Sequence, residues 1–233
     1  SGRVVGVEAL TRWRRPGVGL VMPDAFIPVA EESGLIIPLG RWVLREACRQ
    51  AVAWCHDGPA VPVMALNLSA LQLHHAGLDE EVRQALTTSG LDPSRLELEL
   101  TEIALQPPQT GSQAMLAAWR ALGLHLAIDN FGTGSSSIPR LKRLKVDKLK
   151  IDRSFIRDLT ANPDDHALVP AMIQLAHALN IRTLAEGVEN TDQARLLHAL
   201  GCDEAQGYLY AQPLPAAEAE SWLRAHSPAR LDG

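Results

Sequence analysis

The sequence predicts an α/β fold built on a parallel sheet, a TIM-like (β/α)8 barrel that lacks its first strand. Three observations predict it. Short β-rich runs alternate from end to end with longer amphipathic segments, and no block of consecutive strands interrupts this series of strand–helix units. Polar residues stand at the ends of nearly all predicted strands, as a barrel's catalytic face requires, whereas an open sheet gathers its site at one switch point. Seven strands can be counted where closure needs eight, and a strand follows directly on Ser1-Gly2-Arg3, so a missing strand upstream, in a longer protein, is expected.

The elements follow in order. Val4–Leu10 (VVGVEAL) is the first strand. A helix over Leu39–His56 places Trp42, Val43, Leu44, Ala47, Cys48 and Ala51 at helical spacing and stops at Gly58-Pro59. Strands follow at Val61–Leu68, Leu96–Thr101, Leu124–Asp129 and Val146–Ile151. In the helical segment Asp165–Leu179, Pro170 either occupies an early turn or kinks the helix. Ile181–Glu186 is the next strand. Thr191 caps a helix through Leu200 that ends at Gly201, Asp203–Tyr208 is the last strand, and Pro215 opens a final helix through Trp222.

Composition bounds the class. With 233 residues, 46% of them hydrophobic and 21% charged, and a net charge of only −5, the chain reads as one globular domain over residues 1–233. No linker, repeat or low-complexity segment divides it. No apolar run approaches the roughly 18 residues of a membrane span and no signal peptide is visible, so a cytoplasmic domain without membrane contact is expected, although a parent protein could carry an anchor elsewhere. Cys48 and Cys55 lie roughly 10 Å apart along one helix, too far to bridge, and Cys202 stands alone; all three read as reduced core thiols.

Strand phase selects the acids that matter, because alternate side chains point to opposite faces. Glu8 shares a face with Gly6, Asn67 with Ala65 and Asp129 with Ala127, so a small residue lies beneath each polar one. In LELELTE, Leu96, Leu98 and Leu100 face the helices while Glu99 points inward, with Glu102 just beyond. Lys150 points inward between Leu149 and Ile151, and Glu186 ends its strand with Glu189 three residues on. Collected at one rim, Glu8, Asn67, Glu99, Asp129 and Glu186 would surround Lys150. Such a group of carboxylates repels itself without cations. All-oxygen ligands suit a hard ion, Mg2+ or Mn2+, and phosphate-ester hydrolysis is the natural chemistry of such ions.

Other features read more plainly. FGTGSSS lacks the lysine and spacing of a P-loop. RLKRLKVDKLK has no interleaved aromatics in an acidic chain, so it reads as a solvated helix face with one inward lysine, and no nucleic-acid polymer is expected as partner. The histidines show no ligand spacing. Most tryptophans sit at core spacing, with Trp13 a candidate to border a ligand.

The motifs VEALTRW, NLS, ELTE, DNFGTG, KLKIDRSF, AEGVE and QGY, with PDAFIPVAEESGLI and LGRWVL, stand in an order and spacing that closely resembles the EAL domain of bacterial cyclic di-GMP signalling, from about Val4 to Pro213. The resemblance implies a TIM-like barrel that hydrolyses one phosphodiester bond of cyclic di-GMP to linear pGpG with Mg2+ or Mn2+. It implies that Glu8, Asn67, Glu99 and Asp129 hold a first ion, that Asp129 bridges to a second near Glu186, and that Lys150 orients or activates the attacking water; Lys150, Glu186 and Glu8 are the catalytic candidates. Arg12 and Gln206 would meet the substrate, Glu102 would anchor the FGTG loop, and Glu189 would support the loop after Glu186. A homodimer and fused sensory or GGDEF-type domains are the partners that it suggests.

Three departures from the family pattern bear on activity. Asn130 stands where a second aspartate is usual, so a weaker second ion is expected from an uncharged amide. Ser135 replaces a common tyrosine, and the upstream strand with its ligand contact is absent. The alternative to an enzyme is therefore a weak or inactive module that binds cyclic di-GMP.

Overall fold

Aliphatic runs bounded by turn residues form the strands, and segments with a helical period form the helices. The computed structural model describes residues 2–55, 63–101, 104, 110–134, 138–160 and 163–226. In chain order these form β1 (Gly6–Glu8), β2 (Trp13–Arg15), β3 (Gly19–Val21), α1 (Pro23–Glu32), α2 (Ile36–Cys55), β4 (Val63–Leu68), α3 (Ala70–Leu73) and α4 (Leu78–Ser89). They continue with β5 (Leu96–Thr101), α5 (Thr110–Leu122), β6 (His125–Phe131), α6 (Ile138–Leu144), β7 (Lys148–Ile151), α7 (Arg153–Arg157) and α8 (Pro163–Ala178). The last elements are β8 (Arg182–Ala185), α9 (Thr191–Ala199), β9 (Glu204–Ala205) and α10 (Ala216–His226). Seven strands run in sequence order in one sheet, and the β2–β3 hairpin forms a separate pair.

The chain divides into two units. In the first (residues 1–98, 117–124 and 214–233), β1 pairs in parallel with β4, with Glu8 opposite Ala65. Gly90 closes α4 in the left-handed conformation (φ +72°), which costs a residue without Cβ little. Asp79, Glu80 and Glu81 occupy its first turn, where the helix dipole favours negative charge. Asp79 also accepts the indole N–H of the fully buried Trp119 at 2.8 Å, so that large side chain enters the core with its donor satisfied. Cys48 is buried as expected, and burial pushes its thiol up to about 11 against a hydrogen bond with Ser89, which leaves it an inert core thiol. The side chain of Cys55 lies outside the described residues.

In the second unit (residues 99–116 and 125–213), the strand order from β5 is β5-β6-β7-β8-β9. The β6/β7, β7/β8 and β8/β9 pairs are parallel. All four residues of β7 are buried, so Lys148 and Lys150 both point inward, where the sequence reading placed one lysine only. Lys142 and Arg143 on α6 are exposed, as a solvated face requires.

Several predicted elements shift. The hairpin β2–β3 was not expected, because three-residue strands carry no period; Pro16-Gly17 is its only sequence signal, with Gly17 at φ +75°. Helix α2 begins three residues before Leu39, with Pro38 in its first turn, where a missing N–H costs nothing. Pro170 lies in the body of α8, beyond its first turn. The cap of α9 is Asn190 and not Thr191: Asn190 Oδ1 accepts the N–H of Gln193 at 2.9 Å, and the Gln193 side chain accepts that of Asn190 at 3.2 Å. Helix α10 continues past Trp222 to His226.

Candidate active site

Strand β6 carries the central acid to its place by an irregularity. Ala127 pairs with Lys148 and Ile128 with Leu149, but Phe131 pairs with Ile151, so β6 holds one more residue than β7 across this step. The extra residue falls at Asp129-Asn130, and Asn130 takes φ +54°, a left-handed conformation that asparagine tolerates better than most side chains. Bulges of this kind re-aim a side chain, and here the result is Asp129 beside Lys150.

Lys150 is the centre of the group. Its Nζ lies 2.6 Å from Glu99 Oε2 on β5, 2.9 Å from Glu186 Oε1 just after β8, and 3.2 Å from Asp129 Oδ1 on β6. Lys150 and Glu99 are almost completely buried, Asp129 is 8% exposed, and Glu186 is half-buried. Asp129 Oδ1 is buried and accepts no hydrogen bond, while Oδ2 accepts one from Asn130 Nδ2 at 3.1 Å. One ammonium against three carboxylates leaves these four side chains with a surplus of two negative charges. Desolvated charge of one sign is costly.

The sequence reading missed a second buried charged layer. Lys148 Nζ lies 2.8 Å from Glu204 Oε2, both nearly buried, and Arg182 Nη1 reaches Glu204 Oε1 at 3.1 Å. Lys148, Arg182 and Glu204 are the first residues of β7, β8 and β9, at the opposite ends of the strands from Glu186. The signal was present in KLKI, since Lys148 and Lys150 share a strand face.

The loop after β8 is clamped by its backbone. Glu186 N donates to Ile151 O at 3.1 Å, Val188 N to Gln206 O at 2.9 Å, and Gln206 N to Ala185 O at 2.8 Å. Gly207 lies so close that a Cβ there would stand 2.2 Å from Val188 O, and at Gly187 it would stand 2.6 Å from Arg153 Cβ. QGY therefore packs on AEGVE at Gly207, and AEGVE packs on the start of α7 at Gly187, each without room for a side chain unless its neighbour shifts.

The remaining predicted residues fall as follows. In the first unit, Asn67 Nδ2 donates to Glu8 Oε1 at 2.6 Å, and Asn67 stands two residues beyond the Ala65 that pairs with Glu8. Arg12 is half-buried and donates to the carbonyl of Thr11 at 2.9 Å. Gln206 is half-buried and Glu189 is exposed. Trp13 is 46% exposed, edge-on to Phe26, with the Arg15 guanidinium over its ring. Glu102 and Ser135 lie outside the described residues.

The donor set suits a divalent cation. Among the described residues no three His, Cys, Asp or Glu side chains form a ready-made ligand cage. Lys150 stands between the carboxylates, and its charge holds them together. Yet the buried Asp129 Oδ1 keeps a free lone pair, every candidate ligand is oxygen, and the surplus charge is two. Hard ions take such ligands.

A parallel series of strands with helices between them, and acids gathered round a lysine at the carboxyl ends of the strands, defines an α/β barrel-type domain with an acidic site. The sequence profile of the EAL domain matches residues 1–213, so the chain belongs to the EAL domain family; the match takes in all of the second unit and the first unit up to residue 124. MucR of Pseudomonas aeruginosa, named a bifunctional diguanylate cyclase/cyclic di-GMP phosphodiesterase, is 47% identical over 218 residues, which are 94% of this chain and 32% of MucR. The chain thus spans about a third of that relative's length. Among solved structures, the MucR phosphodiesterase in complex with c-di-GMP superposes with a TM-score of 0.89, covering 92% of this chain and 87% of that one at 47% identity. The EAL enzyme Bd1971, bound to cAMP and cyclic di-GMP, gives 0.90 at 31% identity, covering 95% and 61%. The fold is that of EAL domains, a (β/α)8 type, with seven strands in its sheet among the described residues.

Proposed function

We propose that this chain hydrolyses one phosphodiester bond of cyclic di-GMP to give linear pGpG, with Mg2+ or Mn2+ as cofactor. The observation that carries the reading is the gathering of Glu99, Asp129 and Glu186 round the one Lys150 ammonium, with the buried Asp129 Oδ1 accepting no hydrogen bond. Membership of the EAL family and likeness to a c-di-GMP complex support the choice of substrate. A divalent ion held by Glu99, Asp129 and Glu186 would polarise a phosphoryl oxygen and acidify water. Glu8 and Asn67 complete the ligand set that the family resemblance implies.

The chain's own groups then have distinct tasks. A water oxygen attacks phosphorus and the bond from phosphorus to the ribose oxygen breaks; the water's proton passes to a carboxylate of the cluster, with Glu186 the best placed because it is the least buried of the three. Lys150 donates N–H bonds toward this region, orients the water, and offsets negative charge that grows on the phosphoryl oxygens. The leaving ribose oxygen takes up that proton from the carboxylate, which returns to its starting state. Arg12 and Gln206 are assigned to the substrate. In the cell the chain works as a cytoplasmic module of a longer signalling protein, with a homodimer and fused sensory or GGDEF-type domains as partners; the two-activity name of MucR supports a fused cyclase domain.

Incubation with cyclic di-GMP and Mg2+ or Mn2+, followed by chromatography, should yield pGpG. Tight binding with no product over hours would overturn the enzyme reading. One observation favours a binding module instead: Asn130 Nδ2 donates to Asp129 Oδ2, so this amide presents hydrogen where an ion needs a lone pair. Asn130→Asp decides between them. If the amide merely weakens a second ion, the variant gains activity or needs less metal.

A further inference from the structure

Gln193, in the first turn of α9, is 3% exposed, and both polar ends of its side chain are engaged. Oε1 accepts the backbone N–H of Glu189 at 2.8 Å and of Asn190 at 3.2 Å. Nε2 donates to the carbonyls of Ile156 at 3.0 Å and Arg157 at 3.2 Å. One buried amide thus joins the loop after β8 to the end of α7. A primary amide is suited to this because one end accepts while the other donates, without charge.

The joined segments carry the two groups at the heart of the site. Lys150 on β7 is followed after Ile151 by Asp152, whose carboxylate caps α7 through the N–H of Ser154 at 2.9 Å. Glu186 opens the loop after β8, and Gly187 beside it packs on Arg153 at the start of α7. Loop and helix therefore meet twice, at Gly187 next to the site and at Gln193 behind it. On the site side of the Gly187 fixing, Glu186 Oε1 stands 2.9 Å from Lys150 Nζ.

We infer that Gln193 is a positioning residue: it locks the loop after β8 against the helix after β7 and so sets the contact between Glu186 and Lys150. The inference rests on the phosphodiesterase reading for its role in turnover. Gln193→Leu removes both halves of the bridge. Gln193→Glu keeps the acceptor half but, when ionised, turns a carboxylate oxygen toward two carbonyls; once protonated, it has an O–H to donate and again resembles the amide.

Misplacing Glu186 by a fraction of an ångström should lower kcat in Gln193→Leu by about tenfold to hundredfold and change KM for cyclic di-GMP little. The kcat of Gln193→Glu divided by that of the wild type should rise as pH falls and the carboxyl takes up its proton, a recovery that general loosening of the fold would not give. A folded Gln193→Leu with wild-type kcat, or a Gln193→Glu ratio that stays flat with pH, overturns the inference. If Gln193→Leu does not fold, the ratio decides alone. Absence of wild-type turnover would sink the phosphodiesterase reading; the same ratio is then read on Mn2+ affinity by electron paramagnetic resonance, where a flat profile again overturns the positioning role.

Discussion

The two ends of the second unit's strands handle charge in opposite ways. At the amino ends, Asp147 Oδ2 accepts the N–H of Leu126 at 2.9 Å, Asp203 Oδ2 accepts the N–H of Thr183 at 2.8 Å, and Glu204 is shared by Lys148 and Arg182. Each of these three acids has a partner on a neighbouring strand, so it fastens register. At the carboxyl ends Glu99, Asp129 and Glu186 share Lys150, and one oxygen of Asp129 has no hydrogen bond. Fully matched charge holds a structure; incompletely matched charge leaves it able to bind. The same strands thus carry a fastening at one end and an acid-rich rim at the other, the end where barrels generally carry their active sites.

The sharpest way to break this comparison is to treat its two lysines alike. Lys150→Met removes the cation that three carboxylates share, and turnover should fall by about a thousandfold or more as measured by pGpG release, since orientation and charge stabilisation are lost together. Lys148→Met, two residues away on the same face, should leave the chemistry within reach of the wild-type rate while lowering stability. Breaking a buried pair typically costs about 3–5 kcal/mol, and the value here should fall toward the lower end because Arg182 still neutralises Glu204. Denaturant unfolding beside the turnover assay reads both effects. Equal loss of turnover in the two variants would erase the distinction between the ends.

The amino-acid sequence carried the reactive rim better than the fastening. Glu99, Asp129, Lys150 and Glu186 were legible because each stands near the end of an apolar strand in phase with the inward face, and the structure brings all four together. Strand Leu96–Thr101 was legible to the residue, since LELELT alternates without a break. The bulge at Asp129-Asn130 was not, because a register shift depends on the neighbouring strand and leaves no mark on local periodicity. Lys148 was passed over for a related reason: its partner Glu204 lies 56 residues on, on a two-residue strand with no period of its own. Gln193 read only as part of a helix: its bonds to the N–H groups of Glu189 and Asn190 are local, but the carbonyls of Ile156 and Arg157 that make it a bridge come from 37 and 36 residues away.

The smallest effect should come from the amino-end clamp with the most solvent around it. Burial alone pushes the Asp203 carboxyl up, but hydrogen bonds from His177 Nε2 at 2.9 Å and from the N–H and hydroxyl of Thr183 outweigh it, and the group titrates below the usual carboxylate range. A carboxyl held lower in the folded than in the unfolded chain adds stability that is fully present above the unfolded value of about 3.9 and is lost as pH falls through the folded value. Asp203→Asn should therefore unfold at lower denaturant than the wild type near neutral pH, with the two curves converging as pH drops below about 4. Because Asp203 lies at the fastening end, pGpG production by the folded variant should be unchanged. A gap in stability that persists undiminished into acid would show that shape and not charge holds this clamp, and would remove the electrostatic half of the contrast.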